Sequence, residues 1–186
     1  MRVWLTSLAL LAIHLGLVGC GDLGLHRRRA GPAGLSLGGQ DREQPALSGQ
    51  GEWLASVVER NGRQTLMIQA QPSGTEVPLP PLRRFEPHDS PSLSWNGRYV
   101  ALVGQQAGGR RRVLILDRAS GRLLPLQLPG DLQPEQLSLA PDGRRLALAG
   151  ITRGRRLVQV LDLANLIEPD LPRGLAIGTL ANPTVP

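Results

Sequence analysis

Lysine is absent from the 186-residue sequence. All 21 basic residues are Arg, set against 15 acidic ones, for a formal net charge of +6. The phosphate-binding pattern G-x-x-x-x-G-K therefore cannot occur, and the Gly-rich stretch at residues 104–109 has no helical pattern behind it. A single Cys excludes an intramolecular disulfide and a Cys-based zinc site. Aromatic residues make up only 3%, too few to stack successive bases of a nucleic acid strand. The three His show neither H-E-x-x-H nor His-x-His spacing. No apolar run reaches the ~20 residues that a spanning helix needs. The hydrophobic content of 41% is enough for a core, and 23 Gly and 16 Pro are spread throughout. That spread argues against long helices.

The N-terminus reads MRVWLTSLALLAIHLGLVGC. Arg2 gives a short positive start, and residues 5–18 are apolar apart from Thr6, Ser7 and His14. This is the length of a signal-peptide apolar region. It ends in Leu17-Val18-Gly19-Cys20, which resembles the lipobox of bacterial lipoproteins. The resemblance implies that residues 1–19 are a signal peptide, that Cys20 receives a diacylglyceryl group, and that cleavage falls before it. The two acyl chains of that group would make the anchor stable, at ~0.8 kcal/mol per buried CH₂, and the new amino group could take a third. A plain signal peptide or an uncleaved anchor, with Cys20 incidental, is the alternative. Residues 20–44, rich in Gly and Arg and without a sustained period, read as a flexible tether. Within it Arg27, Arg28 and Arg29 either touch anionic head groups or are simply solvated.

From residue 45 the chain repeats. Three segments align on a turn: Leu47-Ser48-Gly49-Gln50-Gly51-Glu52-Trp53-Leu54-Ala55, Leu93-Ser94-Trp95-Asn96-Gly97-Arg98-Tyr99-Val100-Ala101, and Leu139-Ala140-Pro141-Asp142-Gly143-Arg144-Arg145-Leu146-Ala147. Gly51, Gly97 and Gly143 are spaced 46 and 46 apart. Asn96-Gly97 and Asp142-Gly143 are strong hairpin signals, because both residue types tolerate positive φ. After each turn come an apolar run of strand length, a polar turn, and a second apolar run. In the first two units a Ser-Gly turn and a last short strand follow. Short strands at 8–12-residue spacing predict an all-β antiparallel fold. The predicted units are 45–86, 87–133 and 134–173, with residues 174–186 as a tail.

A 46-residue unit of about four strands has the size of a propeller blade. Pro141-Asp142-Gly143-Arg144 with Leu146-Ala147 closely resembles the TolB-type, WD-like β-propeller repeat. The other two units keep Ser94, Gly97, Arg98 and Ala101, or Ser48, Gly51 and Ala55. The resemblance covers about residues 45–165 and implies a β-propeller of four-stranded antiparallel blades. Asp117 and Asp162 fall where that family often has an Asp, as hydrogen-bond acceptors that fix blade turns. The count departs from the family, since three units cannot close a ring that needs at least four. The expected architecture is a partial, three-blade propeller. Its open ends would be covered by the flanks at residues 34–38 and 174–180 or by a second chain.

Chemistry is sparse in this pattern. Residues 34–38 match G-x-S-x-G around Ser36, but in a Gly-rich tether rather than a strand–helix turn. Glu86, His88 and Asp89 are adjacent in a loop, where neighbours rarely converge on a metal. No cofactor or metal is expected, and no catalytic residue. Trp53, Trp95 and Tyr99 read as packing at the repeat turns, with partner contact the alternative. Arg63, Arg110, Arg111, Arg112, Arg153, Arg155 and Arg156 occupy the same turn of successive units. They either solubilise exposed hairpins or draw in an anionic envelope component such as lipid phosphate or acidic polysaccharide. The export signal removes nucleic acid from consideration. The reading is a non-enzymatic, lipid-anchored, extracytoplasmic scaffold that binds a cell-envelope protein, with self-association as a further partner class. Inner and outer membrane are not distinguished.

Overall fold

The computed structural model describes residues 40–174. The signal peptide, Cys20, the Arg27–Arg29 run, Ser36 and the flanking residues 34–38 and 175–180 lie outside the described residues. Among the described residues, eleven strands form three antiparallel sheets in chain order. Blade 1 holds β1 (Arg42–Leu47), β2 (Trp53–Arg60), β3 (Arg63–Ala70) and β4 (Glu76–Val77). Blade 2 holds β5 (His88–Leu93), β6 (Tyr99–Gln105), β7 (Arg111–Asp117) and β8 (Arg122–Pro125). Blade 3 holds β9 (Gln133–Leu139), β10 (Arg145–Thr152) and β11 (Arg155–Asp162). The 3-10 helix Pro80–Phe85 joins the first two blades. Among the described residues no helix is long and apolar enough to cross a membrane.

Each repeat turn is closed by the same bonds. The amide of Gly51 donates to Ser48 O, that of Gly97 to Ser94 O, and that of Gly143 to Ala140 O, at 2.8–3.0 Å. The three glycines have φ of 77°, 67° and 78°, a region that costs other residues backbone strain. Ser48 and Ser94 add a side-chain bond, accepting the amides of Trp53 (3.1 Å) and Tyr99 (2.8 Å). Ala140 cannot do so in the third unit.

The core lies between the blades. Strands β6 and β7 present Val100, Leu102, Leu114 and Leu116 to Ala55, Leu66 and Ile68 of blade 1. Their opposite faces present Tyr99, Ala101, Val113 and Ile115 to Leu139, Leu146 and Leu148 of blade 3. Full burial of such a side chain contributes ~1.5–3 kcal/mol. Blade 2 is thus sandwiched, which is why its strands read as unbroken apolar runs rather than as an alternation.

Two features depart from the sequence-based expectation. Strand β1 starts at Arg42, three residues inside the stretch expected to be tether. Its first residues carry no apolar alternation, and Arg42 is held from outside by a side-chain bond to Gln69 of β3. Blade 3, expected to have four strands, has three among the described residues. The Ser-Gly turn that launches β4 and β8 is missing there. Leu163 and Ile167 bury against the blade 2–blade 3 core instead. The chain then runs along the repeat turns: the Asp170 amide donates to Asp142 O, and the Asp170 carboxylate accepts Ser94 Oγ, Asn96 N and Asn96 Nδ2 at 2.6–2.8 Å. Arg173 reaches 3.9 Å from Glu52. This strap ties all three units together.

Candidate interaction surface

The first strands of the blades, β1, β5 and β9, lie side by side. Each is involved in a bulge: between Glu43 and Ala46, between Asp89 and Ser92, and where β9 faces Ala149 and Gly150. Gln44 and Ser90 sit at φ of 51° and 50°, unusual for non-Gly residues. Bulges bend a strand and re-aim its side chains. Here the bulged residues lock the blades together. The Gln44 side-chain oxygen accepts the Ser90 amide. Ser90 Oγ accepts the Leu137 amide at 2.8 Å, and Ser92 Oγ accepts that of Leu139 at 2.9 Å.

The middle residues of these strands line an open concavity of about 960 Å3. Its floor carries Gln44, Ser90 and Gln136 with Pro45, Pro91 and Leu137. Two ion pairs stand on its walls. Arg111 donates to Asp89 at 2.6 Å, and Arg156 lies 3.4 Å from Glu135. The surface is polar, carries both charges and is set on hydrogen-bonded strands rather than on a free loop. It can match a partner surface that also carries both signs.

The Arg residues singled out from the sequence sit at the equivalent β2–β3, β6–β7 and β10–β11 turns and differ in what they meet. Arg111 and Arg156 line the concavity, each beside a carboxylate. Arg112 turns back to Gln106 at 2.7 Å. Arg63 ends the β2–β3 hairpin, Arg110 lies in the β6–β7 turn, and Arg153 and Arg155 flank Gly154 in the β10–β11 turn; all four are exposed. The turn residues Gly51, Asn96, Gly97, Pro141, Asp142 and Gly143 lie on the strap side, where they are occupied by contacts within the chain. Pro141 O accepts the Trp95 amide at 2.6 Å, and Asp142 Oδ1 accepts that of Arg144 at 3.0 Å. Asp117 and Asp162 each accept the amide two residues on, at 3.0 and 2.9 Å.

Tyr99 and Trp53 pack within the molecule. Tyr99 is in the core. Trp53 lies under the Arg118 guanidinium, 3.8 Å from its ring centre, and against Gly97, where a Cβ would come within 2.6 Å of it. Arg118 also donates to Gly97 O at 2.8 Å, and burial lowers its pKa. Asp117 is drawn into blade 2. Burial alone would raise its pKa, but the Arg98 guanidinium and the Ala119 amide outweigh that, and the net shift is downward.

His88 is buried among backbone. Its Nδ1 accepts the Leu66 amide at 2.9 Å, and its Nε2–H donates to Leu82 O at 3.0 Å. Burial depresses its pKa below 6.5. With both ring nitrogens engaged it has no free position for a proton or a metal. Asp89, its neighbour, is taken by Arg111. Among the described residues no three His, Cys, Asp or Glu side chains converge as a metal site.

Sequence reading missed the concavity, although a signal existed. Glu43, Asp89 and Glu135 are 46 residues apart, as are Gln44, Ser90 and Gln136. An acidic residue followed by a polar one recurs in the first strand of every unit, and the alignment on the turns stopped short of it.

No protein-family model and no curated protein matches the sequence. Solved structures do match the fold. TolB from Acinetobacter baumannii aligns with a TM-score of 0.56 at 17% identity, over 68% of this chain and 31% of that one. A putative TolB from Agrobacterium tumefaciens gives 0.52 at 16% identity, over 68% and 48%. The β-propeller domain of the Trilobed protease from Pyrococcus furiosus gives 0.52 at 17%, over 73% and 44%. The fold is a partial β-propeller of TolB-like blades. The chain spans 31% to 48% of the length of these three structures.

Proposed function

We propose that the chain is a non-enzymatic interaction scaffold, held at a bacterial membrane by lipid on Cys20 and facing the extracytoplasmic space. It binds a cell-envelope protein in the concavity along β1, β5 and β9. The observation that carries the reading is the built character of that surface. Bulged strands fix its floor, and Asp89–Arg111 and Glu135–Arg156 offer paired charges of both signs. Protein surfaces match such patterns through complementary charge and shape. A purely anionic lipid or polysaccharide fits less well, because the two guanidiniums that line the concavity already face carboxylates. The likeness to TolB structures supports the reading at the level of fold.

The test is site-specific photo-crosslinking in cells of the source type. A photoreactive residue at Gln136, inside the concavity, should give one discrete protein adduct. The same residue at Arg122, on an outer strand, should give none. Loss of the adduct on Arg111→Glu would tie it to the concavity, whereas adducts of equal yield at both positions would refute the assignment. Anchoring is tested separately: Cys20→Ser should abolish incorporation of labelled palmitate, and a variant that still labels contradicts it.

A further inference from the structure

Strands β4 and β8 cover the outer edges of β3 and β7, whereas β11 has no strand on its outer edge among the described residues. The two-residue turn Arg153-Gly154 closes the β10–β11 hairpin on the pair Thr152 and Arg155. By the alternation of an antiparallel ladder, Arg155, Leu157, Gln159 and Leu161 turn their backbone groups to β10. Arg156, Val158, Val160 and Asp162 turn theirs outward. Val158 and Val160 are 72% and 66% exposed. Beside this edge an apolar cleft of about 310 Å3 opens between β8 and β11, lined by Leu124, Leu161 and Leu166. The strap carries the chain away from the edge, toward the turns of blades 2 and 1.

Blade 2 shows what this edge is built to receive. Its fourth strand reads Arg122-Leu123-Leu124-Pro125, in register with Asp117, Leu116, Ile115 and Leu114. Asp162 stands in blade 3 where Asp117 stands in blade 2, each followed by an amide that donates to the strand before it: Arg118 to Arg98 O, Leu163 to Arg144 O. Strand β11 itself contains Arg156-Leu157-Val158-Gln159, the same order of Arg, Leu, aliphatic.

We infer that a second copy of this chain supplies the missing fourth strand, its β11 pairing antiparallel with β11 about a two-fold axis at Gln159. In that register Arg156 faces the partner's Asp162, Leu157 the partner's Leu161, and Val158 the partner's Val160, and each pair occurs twice. The outward backbone groups of Arg156, Val158, Val160 and Asp162 meet as hydrogen-bonded pairs, and Gln159 meets the partner's Gln159 between them. The same residues that repeat the β8 pattern therefore serve as both strand and template, which is the self-complementarity a two-fold interface requires. The Leu157 side chains close over the apolar cleft. Arg156, Leu157 and Val158 also line the concavity, whereas Val160 and Asp162 do not, so the variant at Asp162 tells the dimer apart from the proposed partner.

The test reads the mass of the full chain in detergent micelles by native mass spectrometry or light scattering. The wild-type chain should be dimeric. Arg156→Asp and Asp162→Arg should each raise the dimer dissociation constant roughly tenfold or more, since two pairs become repulsive. Mixing the two variants should restore a heterodimer, because both of its pairs are again opposite in charge, and the double variant R156D/D162R should restore a homodimer. In a Cys20→Ser chain, Gln159→Cys should form a disulfide-linked dimer, and Val158→Cys, facing a Val, should not. A monomeric wild-type chain overturns the inference, since the edge then belongs to another occupant. So does a dimer indifferent to both reversals, or one that mixing fails to restore.

Discussion

Blades 2 and 3 carry the same repeat and meet opposite fates. Tyr99, Ala101, Val113 and Ile115 of blade 2 are all at or below 1% exposure. Their equivalents in blade 3 are Arg145, Ala147, Val158 and Val160, of which Arg145 is exposed, Ala147 half-buried and the valines mostly in solvent. The difference comes from neighbours rather than from strand propensity. Blade 2 has a sheet on each face, so residues 99–104 and 113–117 of its central strands are all buried. Blade 3 has one, so burial alternates along β10. The sequence records this at a single telling position: the residue two beyond the turn glycine is Trp53, then Tyr99, then Arg145. In the first two units an aromatic packs on the turn glycine of the next blade, and in the third no next blade lies among the described residues.

The largest expected effect contrasts equivalent positions. Ile115→Ala should cost about 4 kcal/mol of stability, from lost burial and the cavity it leaves. Val160→Ala should change stability by less than ~0.5 kcal/mol. Equal losses in urea unfolding would mean that blade 3 has a covered outer face. The strap comes next. Asp170→Ala strips the acceptor from Ser94 Oγ and from both Asn96 donors, and leaving the fully buried Ser94 hydroxyl unpaired should bring the total to about 3 kcal/mol. A loss below ~1 kcal/mol would show that blade 2 does not depend on the strap.

The fold was legible because the repeat writes itself three times. Turn glycines at constant spacing, each followed by an apolar run, leave one period and one strand order to choose. That blade 3 has three strands among the described residues was partly legible, since Asn165-Leu166 stands after Asp162 where Ser120-Gly121 stands after Asp117. Of the concavity only the recurrence Glu43-Gln44, Asp89-Ser90, Glu135-Gln136 was written in the sequence, because the meeting of those side chains depends on bulges that the turn alignment does not reveal. His88 resisted for another reason. Alone between prolines it looked like a loop residue, and only the fold supplies the Leu66 amide and the Leu82 carbonyl that fix it.

Smaller effects sharpen the comparison further. Gly143→Val should cost about 2 kcal/mol, because φ is positive and an added Cβ would sit 3.2 Å from Tyr99. Gly154→Val, with positive φ but open space around it, should cost about half as much. Matching thermal shifts would mean that contact between the blade 2 aromatic and the blade 3 turn contributes nothing. His88 adds a pH dependence to the blade 1–blade 2 side. Its folded pKa lies below 6.5, so the unfolded chain takes up the proton first. Stability should be full above pH ~6.5 and fall below it, by up to ~1.4 kcal/mol per pH unit, until the folded pKa is reached. His88→Gln should lower stability at neutral pH but flatten this slope. An unchanged slope would place the titrating group elsewhere.

The contrast between a sandwiched blade 2 and an open blade 3 is tested most directly by thiol labelling at equivalent positions. Ile115→Cys and Val160→Cys are placed singly in a Cys20→Ser chain, and the rate of reaction with a soluble maleimide is read under native conditions. The thiol at position 160 should react at close to the rate of the unfolded chain. The thiol at position 115 should be slower by roughly a thousandfold or more, since it reacts only when the blades open. Comparable rates at the two positions would contradict the account.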